Sequence, residues 1–433
     1  MAGERYVLLG LAHARSQWFR DVAQWATSAS IAAEFVKCVT PEEVRVRLAS
    51  GRAHSALLVD VSLPAFDRDL VAAAAARYTP VLAVADGRGR RWSADDIGVA
   101  TVLPVAFSRG ELLAALETHT RMIGRGDRLP AMAGDAPVAQ WRGRLIAVTG
   151  PGGTGASTAA IGAAQAFATD PRYGRRVLLA DLALRADQAM LHDAGEVGPG
   201  LQELVEAHRL SRPEPAAVES TTFDVPARGY RLLLGLRRPS AWSALRPRAI
   251  DAALDGLRGT FQVVVADVTG DVEGEADCGS VEVEERNHLA RAAVAGADVV
   301  VVVGAPGTKG VSTLAQLLRA LLDAGVVPGR LLPVINRAPR NPRSRAEQGA
   351  ALAAVLGDRP ALSSPVLLPE RKVDDAIRDG VALPSALVDP LRGALTAVLD
   401  RQGAAVAPGV RPVRIQRGAL GQWSDVDEDA AAP

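Results

Sequence analysis

The sequence predicts an α/β protein made of two successive parallel sheets, each covered by helices. Three observations carry the prediction. Short apolar runs alternate with helical patterns from Tyr6 to Arg121, and the alternation restarts at Leu145 and runs to about Arg401. Between them, Gly124–Gln140 holds Gly, Pro, Ala and scattered charge with no period. Strand–helix alternation is how a chain crosses over between parallel strands. The expected division is a first unit at 1–123, a linker at 124–140, a larger unit at 141–401 and a tail at 402–433. The tail ends in Asp425-Val-Asp-Glu-Asp429 and reads as disordered and acidic.

In the first unit, Tyr6–Leu11, Ala56–Asp60, Val81–Ala85 and Ala100–Pro104 read as strands. Gln17–Thr27, Pro41–Leu48, Asp67–Arg77 and Arg109–Arg121 read as helices. In the second, strands are expected at Leu145–Thr149, Val177–Asp181, Tyr230–Leu234, Gln262–Asp267, Asp298–Gly304 and Arg330–Asn336. No repeat or heptad seam is visible.

Composition narrows the function. The 433 residues are 48% hydrophobic and carry 49 basic against 49 acidic side chains, a formal charge of zero. That argues against a wholesale electrostatic partner such as DNA. Only Lys37, Lys309 and Lys372 are lysines; every other basic residue is arginine. Two distant cysteines, Cys38 and Cys278, make neither a disulfide framework nor a metal cluster and read as reduced thiols. The first residues lack a long apolar run, so no signal peptide is expected. The run Ala297–Ala305 is interrupted by Asp298 and falls far short of the ~20 residues that span a bilayer.

The chemistry concentrates in Gly150-Pro-Gly-Gly-Thr-Gly-Ala-Ser-Thr158. A strand, a tight glycine loop and a small-residue helix from Ser157 to Ala168 are the context a phosphate loop requires. Glycines let backbone N–H groups turn inward, and the helix start adds partial positive charge. Against the pattern G-x-x-x-x-G-K-[ST], Gly150 and Gly155 hold the glycine positions and Ser157 the Mg²⁺-binding hydroxyl. Ala156 stands where the lysine belongs. The predicted ligand contacts are Gly150, Gly152, Gly153, Thr154, Gly155, Ala156, Ser157 and Thr158.

This loop resembles the deviant Walker A loop of the MinD/ParA superfamily, x-K-G-G-x-G-K-[ST]-[ST]. Pro151 occupies the signature-lysine position. The Ala-Ser-Thr ending is similar to the CpaE/TadZ branch. Other landmarks follow in family order. Val177-Leu-Leu-Ala-Asp181 resembles the switch I strand, but Asp181-Leu-Ala183 lacks the second aspartate of the family's D-x-D. Phe261-Gln-Val-Val-Val-Ala-Asp267 resembles the Walker B strand, with Asp267 at the carboxyl edge where α/β ligands bind. Asn336-Arg337 resembles the adenine-recognising dipeptide. Pro365–Glu370 and Val373–Gly380 resemble the final strand and helix. The resemblance implies a P-loop NTPase-like, doubly wound, mostly parallel sheet over 145–400. It further implies ATP or ADP with Mg²⁺ as cofactor, and Ser157, Asp181 and Asp267 as the metal set.

Residues 5–122 resemble a response-regulator receiver, a flavodoxin-like fold, with Asp60 at the phosphoacceptor position of Leu57-Leu-Val-Asp60-Val-Ser-Leu-Pro64. Gly10-Leu-Ala-His13 replaces the metal-holding acidic pair, and Val102–Phe107 has no lysine. The implied unit is a pseudo-receiver that binds partners. His13 reads as a surface residue.

The implied function is a CpaE/TadZ-like or septum-site-determining-like localisation or regulatory factor for pilus, secretion or cell-division machinery. It would be a cytoplasmic homodimer, with protein partners and at most weak ATPase activity. A lost preorganised electrostatic group typically costs ~3–4 kcal/mol of barrier, and no arginine stands at 151 or 156 to replace it. Lys309 reads as a solvated loop lysine, with an approach to the phosphates as the alternative. The acidic stretch Asp271–Glu285 reads as a hydrophilic insertion, with a docking loop as the alternative. The rival functions are an ATPase cycling between dimer and monomer, and a ParA-like DNA partitioner using Arg337, Arg340, Arg343 and Arg345.

Overall fold

The computed structural model describes residues 4–86, 92–123, 141–173, 176–195, 198–357 and 362–402. The expected linker, and the expected tail from 403 onward, lie outside the described residues.

The N-terminal sheet contains β1 (Tyr6–Leu11), β2 (Ala33–Cys38), β3 (Ala56–Asp60), β4 (Val81–Ala85) and β5 (Thr101–Pro104). Their order is β2-β1-β3-β4-β5 and every pairing is parallel. This is the flavodoxin-like doubly wound order. One side of the sheet buries Leu9, Leu57 and Val59 under Phe66, Leu70 and Val71; the other buries Leu8, Leu58 and Leu82 under Trp18, Phe19 and Leu112. Strand β2 was not expected from the sequence. It lies at the sheet edge and is mostly half-buried, with Glu34 joining Arg5 and Arg52, so its apolar residues show no clean period.

The second sheet contains β6 (Arg144–Thr149), β7 (Val177–Asp181), β8 (Phe223–Val225), β9 (Tyr230–Leu233), β10 (Val263–Asp267), β11 (Val299–Gly304), β12 (Leu331–Ala338) and β13 (Val366–Pro369). The order is β13-β12-β11-β6-β10-β7-β9-β8, parallel except for the antiparallel edge pair β8–β9. The three-residue strand β8 carries too little pattern to be read from sequence. Central strands β6, β10 and β11 are buried on both faces, which is why they read as unbroken apolar runs. Helices Leu201–Leu210, Pro247–Thr260, Val281–Gly296 and Gly307–Asp323 cover one face; Ala156–Ala168 and Ser385–Arg401 cover the other. From β10 the chain passes over β6 to β11, so the direction of winding reverses at β6, where open α/β sheets hold ligands.

The two units meet through backbone carbonyls. Arg68, at the start of helix Arg68–Ala75, donates from Nε to the carbonyl of His208 (2.7 Å) and from Nη2 to that of Ser211 (3.0 Å). It also donates to the carbonyl of Asp96. Arg209 returns a bond to the carbonyl of Pro64 (3.0 Å), in the turn after Asp60. Helix Arg68–Ala75 rests against helix Pro247–Thr260, and Leu210 packs on the N-terminal core.

Among the described residues, no helix is long and apolar enough to cross a membrane.

Candidate functional site

Helix Ala156–Ala168 owes its position to small residues. Ala159 to Ala168 are all buried and, apart from Gln165, which bonds the Leu383 backbone, all apolar, and the helix lies between the sheet and helix Ser385–Arg401. Its N-cap is Gly155, which has no side chain to bond the first N–H groups, and these open onto a cleft. Gly155 has φ +87°, and a Cβ there would lie 2.4 Å from Asn336 Nδ2. At Gly150 a Cβ would lie 2.4 Å from the Val303 carbonyl oxygen. Both positions therefore demand glycine. Thr154 closes the turn between them, its N–H (3.2 Å) and hydroxyl (2.7 Å) both donating to the Pro151 carbonyl.

The cleft is about 990 Å³. Gly150, Gly152, Gly153, Gly155, Ala156, Ser157 and Thr158 line it, facing Asp267 on the same sheet edge. Thr154 is buried behind the loop. Asn336 does not line the cleft: its Nδ2 donates to the Thr154 carbonyl (2.9 Å), bracing the loop from the side. Arg337 does line it, with Nη1 3.4 Å from the Gly153 carbonyl.

The three residues expected to hold a metal divide. Asp181 and Asp267 are register partners on β7 and β10, and both are buried. Only Asp267 reaches the cleft, where the Ser157 hydroxyl bonds its carboxylate. Asp181 folds the chain that follows it: the N–H groups of Ala183 (3.3 Å) and Gln188 (2.9 Å) each take one of its carboxylate oxygens. Burial, and then the neighbouring Asp267 charge, push Asp181 well above the usual carboxylate range. Burial pushes Asp267 up to about 6, against the opposing bonds from Gln188 and Ser157.

Gln188 was not foreseen. Its side chain is fully buried, and Nε2 donates to Asp267 Oδ2 (2.7 Å) and to the Ser157 carbonyl (3.2 Å). No sequence pattern marks it, because a buried glutamine seven residues beyond a strand has no periodic signature. His192 holds the same short helix: its ring nitrogens bond the Gln188 carbonyl (2.8 Å) and the Tyr230 hydroxyl (2.7 Å). A carbonyl only accepts, so Nδ1 carries the proton and Nε2 accepts from Tyr230. Burial lowers His192 to about 4 and raises Tyr230 to about 12.

Mg²⁺ meets a reduced donor set as arranged. Both Asp181 oxygens accept backbone N–H bonds and Asp267 Oδ2 accepts the Gln188 amide, which leaves the other Asp267 oxygen and the Ser157 hydroxyl as the side-chain oxygens a cation could use. Among the described residues, no group of three His, Cys, Asp or Glu side chains stands ready for a metal.

Positive charge arrives from outside the loop. Arg185, Arg286 and Arg337 all line the cleft, although neither 151 nor 156 is basic. The sequence reading missed the first two because they lie 29 or more positions beyond Ala156. Arg286 stands 3.8 Å from Asp271, both half-exposed. Trp242, Leu184 and Leu317 give the cleft its apolar wall, and Asp187 also borders it. Lys309 is exposed on the first turn of helix Gly307–Asp323 and lies outside the lining. The acidic stretch 271–285 is no single loop. Glu275–Cys278 is a short helix, and Ser280 caps helix Val281–Gly296, whose first turn holds Glu282 and Glu284, where acids favour the helix dipole.

No family model matches the chain, and no curated protein matches it. Among solved structures, the chain is similar to a ParA family ATPase from Chlorobium tepidum TLS at 17% identity and a TM-score of 0.46, covering 58% of this chain and 98% of that one. A putative plasmid partition protein from Borrelia burgdorferi B31, bound to AMPPNP, is 16% identical with a TM-score of 0.43, covering 60% and 99%. The septum site-determining protein MinD from Pyrococcus horikoshii OT3, complexed with Mg-ADP, is 18% identical with a TM-score of 0.43, covering 61% and 99%.

Proposed function

We propose that this chain is a MinD/ParA-type nucleotide-binding protein of the CpaE/TadZ kind, a localisation or regulatory factor with a degenerate catalytic site. The observation that carries the reading is the uncapped start of helix Ala156–Ala168, opening beneath Gly150–Gly155 and facing Asp267 across one cleft. Backbone donors in that arrangement suit phosphate oxygens. Ala156 and Pro151 deny the site both lysines, and Ala183 denies it the second switch acid. Binding without appreciable turnover follows. Asn336 acts by bracing the loop and Arg337 by bordering the ligand.

The flavodoxin-like unit docks on the nucleotide unit through Arg68 and Arg209, and its other face serves protein partners of a pilus, secretion or division complex. Homodimerisation across the cleft face completes the reading. Titration calorimetry with ATP and with ADP, paired with a phosphate-release assay, tests it. Saturable binding with negligible release is expected. Robust release abolished by Asp267→Ala indicates instead an ATPase cycling between dimer and monomer, and absence of binding removes the nucleotide reading.

A further inference from the structure

We propose that the cleft takes a nucleoside polyphosphate without a divalent cation, the Gln188 side-chain amide holding Asp267 while Arg185, Arg286 and Arg337 supply the positive charge. The inference rests on the nucleotide reading above and goes beyond it in naming the ionic form of the ligand.

Three observations converge. The first is the amide itself. Gln188 Nε2 joins Asp267 Oδ2 to the Ser157 carbonyl, so an N–H occupies the space between the loop helix and the acid on β10. A cation placed there would meet the positive end of the amide dipole. The second is the other face of the same side chain: Gln188 Oε1 is buried and has no donor among the described residues. An unmet buried acceptor is costly, yet turning the amide over would only trade one unmet atom for another while setting oxygen against carboxylate. The amide is held in its present sense by the groups around it, and its neighbour Asp181 is committed to backbone N–H groups.

The third observation is where the arginines come from. Arg185 follows β7, Arg286 lies on helix Val281–Gly296 and Arg337 is the last residue but one of β12, so three separate stretches of chain each bring one arginine to the cleft. Among the described residues Arg185 makes no ion pair, and Arg286 has only the 3.8 Å approach to Asp271. Three acids also border the cleft, but Asp267 is held by Gln188 and Ser157, and Asp271 stands beside Arg286, which leaves Asp187. A guanidinium presents a fork of donors that matches phosphate oxygens without metal. It also stays charged at any working pH, which a lysine crowded among other cations need not.

Equilibrium binding of ATP to the full chain, read by calorimetry with excess Mg²⁺ and again with excess EDTA, tests the proposal. Affinities within about threefold of each other are expected, and Arg185→Ala, an exposed substitution, is expected to weaken both by roughly tenfold or more. Gln188→Ala, if folded, frees Asp267 and makes ATP binding stronger with Mg²⁺ than with EDTA. Binding in Mg²⁺ that is lost in EDTA overturns the metal-free site and leaves the nucleotide reading standing. Undiminished binding by Arg185→Ala also overturns the proposed charge source. No binding under either condition overturns both readings.

Discussion

Asp181 and Asp267 face each other in register across two parallel strands, both buried, yet only Asp267 opens to the cleft. One acid serves the fold of the following segment and the other borders the ligand space. Burial raises both carboxyl groups, so each is harder to ionise than an exposed carboxylate.

Asp267→Asn is therefore expected to stabilise the chain. Burial raises the Asp267 carboxyl to about 6, above its value in an unfolded chain, so at pH 7.5 the ionised form opposes folding. Removing that charge while keeping an oxygen for Gln188 contributes about 2 kcal/mol, using about 1.4 kcal/mol per pKa unit with a discount for relaxation. Scanning calorimetry is expected to show a melting temperature a few degrees higher. A lower one would falsify the account of a buried acid whose ionised form opposes folding.

His192 sets a pH dependence of the opposite sense. Its folded pKa of about 4 lies below the ordinary value of 6.5, so its contribution is fully present above pH 6.5. It is lost as pH falls from 6.5 toward 4, because the unfolded chain then binds the proton more readily. His192→Gln is expected to cost about 1–2 kcal/mol at pH 7.5, the worth of the bonds to Gln188 and Tyr230. Paired denaturant titrations at pH 7.5 and 4.5 should show the gap between variant and parent narrowing. A constant gap would show that burial does not hold the His192 ring neutral.

Gly155→Ala tests the loop. The substitution forces a Cβ into left-handed backbone and against the Asn336 amide, which braces Thr154. The conformational term alone costs about 1–2 kcal/mol. Chemical denaturation should register that loss, and ATP titration should show binding weakened by more than tenfold. Unchanged affinity would mean that the loop does not shape the ligand site.

Arg68→Ala tests the junction of the two units. The side chain bonds the carbonyls of Asp96, His208 and Ser211, and bonds to a charged group are worth about 1.5–3 kcal/mol each. The variant is expected to melt in two resolved calorimetric steps, with faster amide exchange in Leu204–Leu210. A single transition at the parental temperature would show that the contact contributes nothing.

Most of the sheet was legible because parallel strands buried on both faces read as apolar runs; Val177–Asp181 and Val81–Ala85 match their expected spans residue for residue. Strands β2 and β8 escaped because an edge strand with Glu34 and Lys37, and a strand of three residues, carry no periodic signal. In the site, a contiguous loop and a strand-terminal acid announce themselves locally. Gln188, Arg185, Arg286 and Trp242 do not. They come together only when separate crossovers return to one sheet edge, and a bare sequence holds no record of that meeting.

The segment Pro239–Ala244, which brings Trp242 to the cleft, leads within three residues into helix Pro247–Thr260. That helix leans on Arg68–Ala75, and the Arg248 N–H donates to Asp69 at its entrance. One continuous stretch of chain, 239–260, therefore touches the cleft at Trp242 and the N-terminal unit at Asp69.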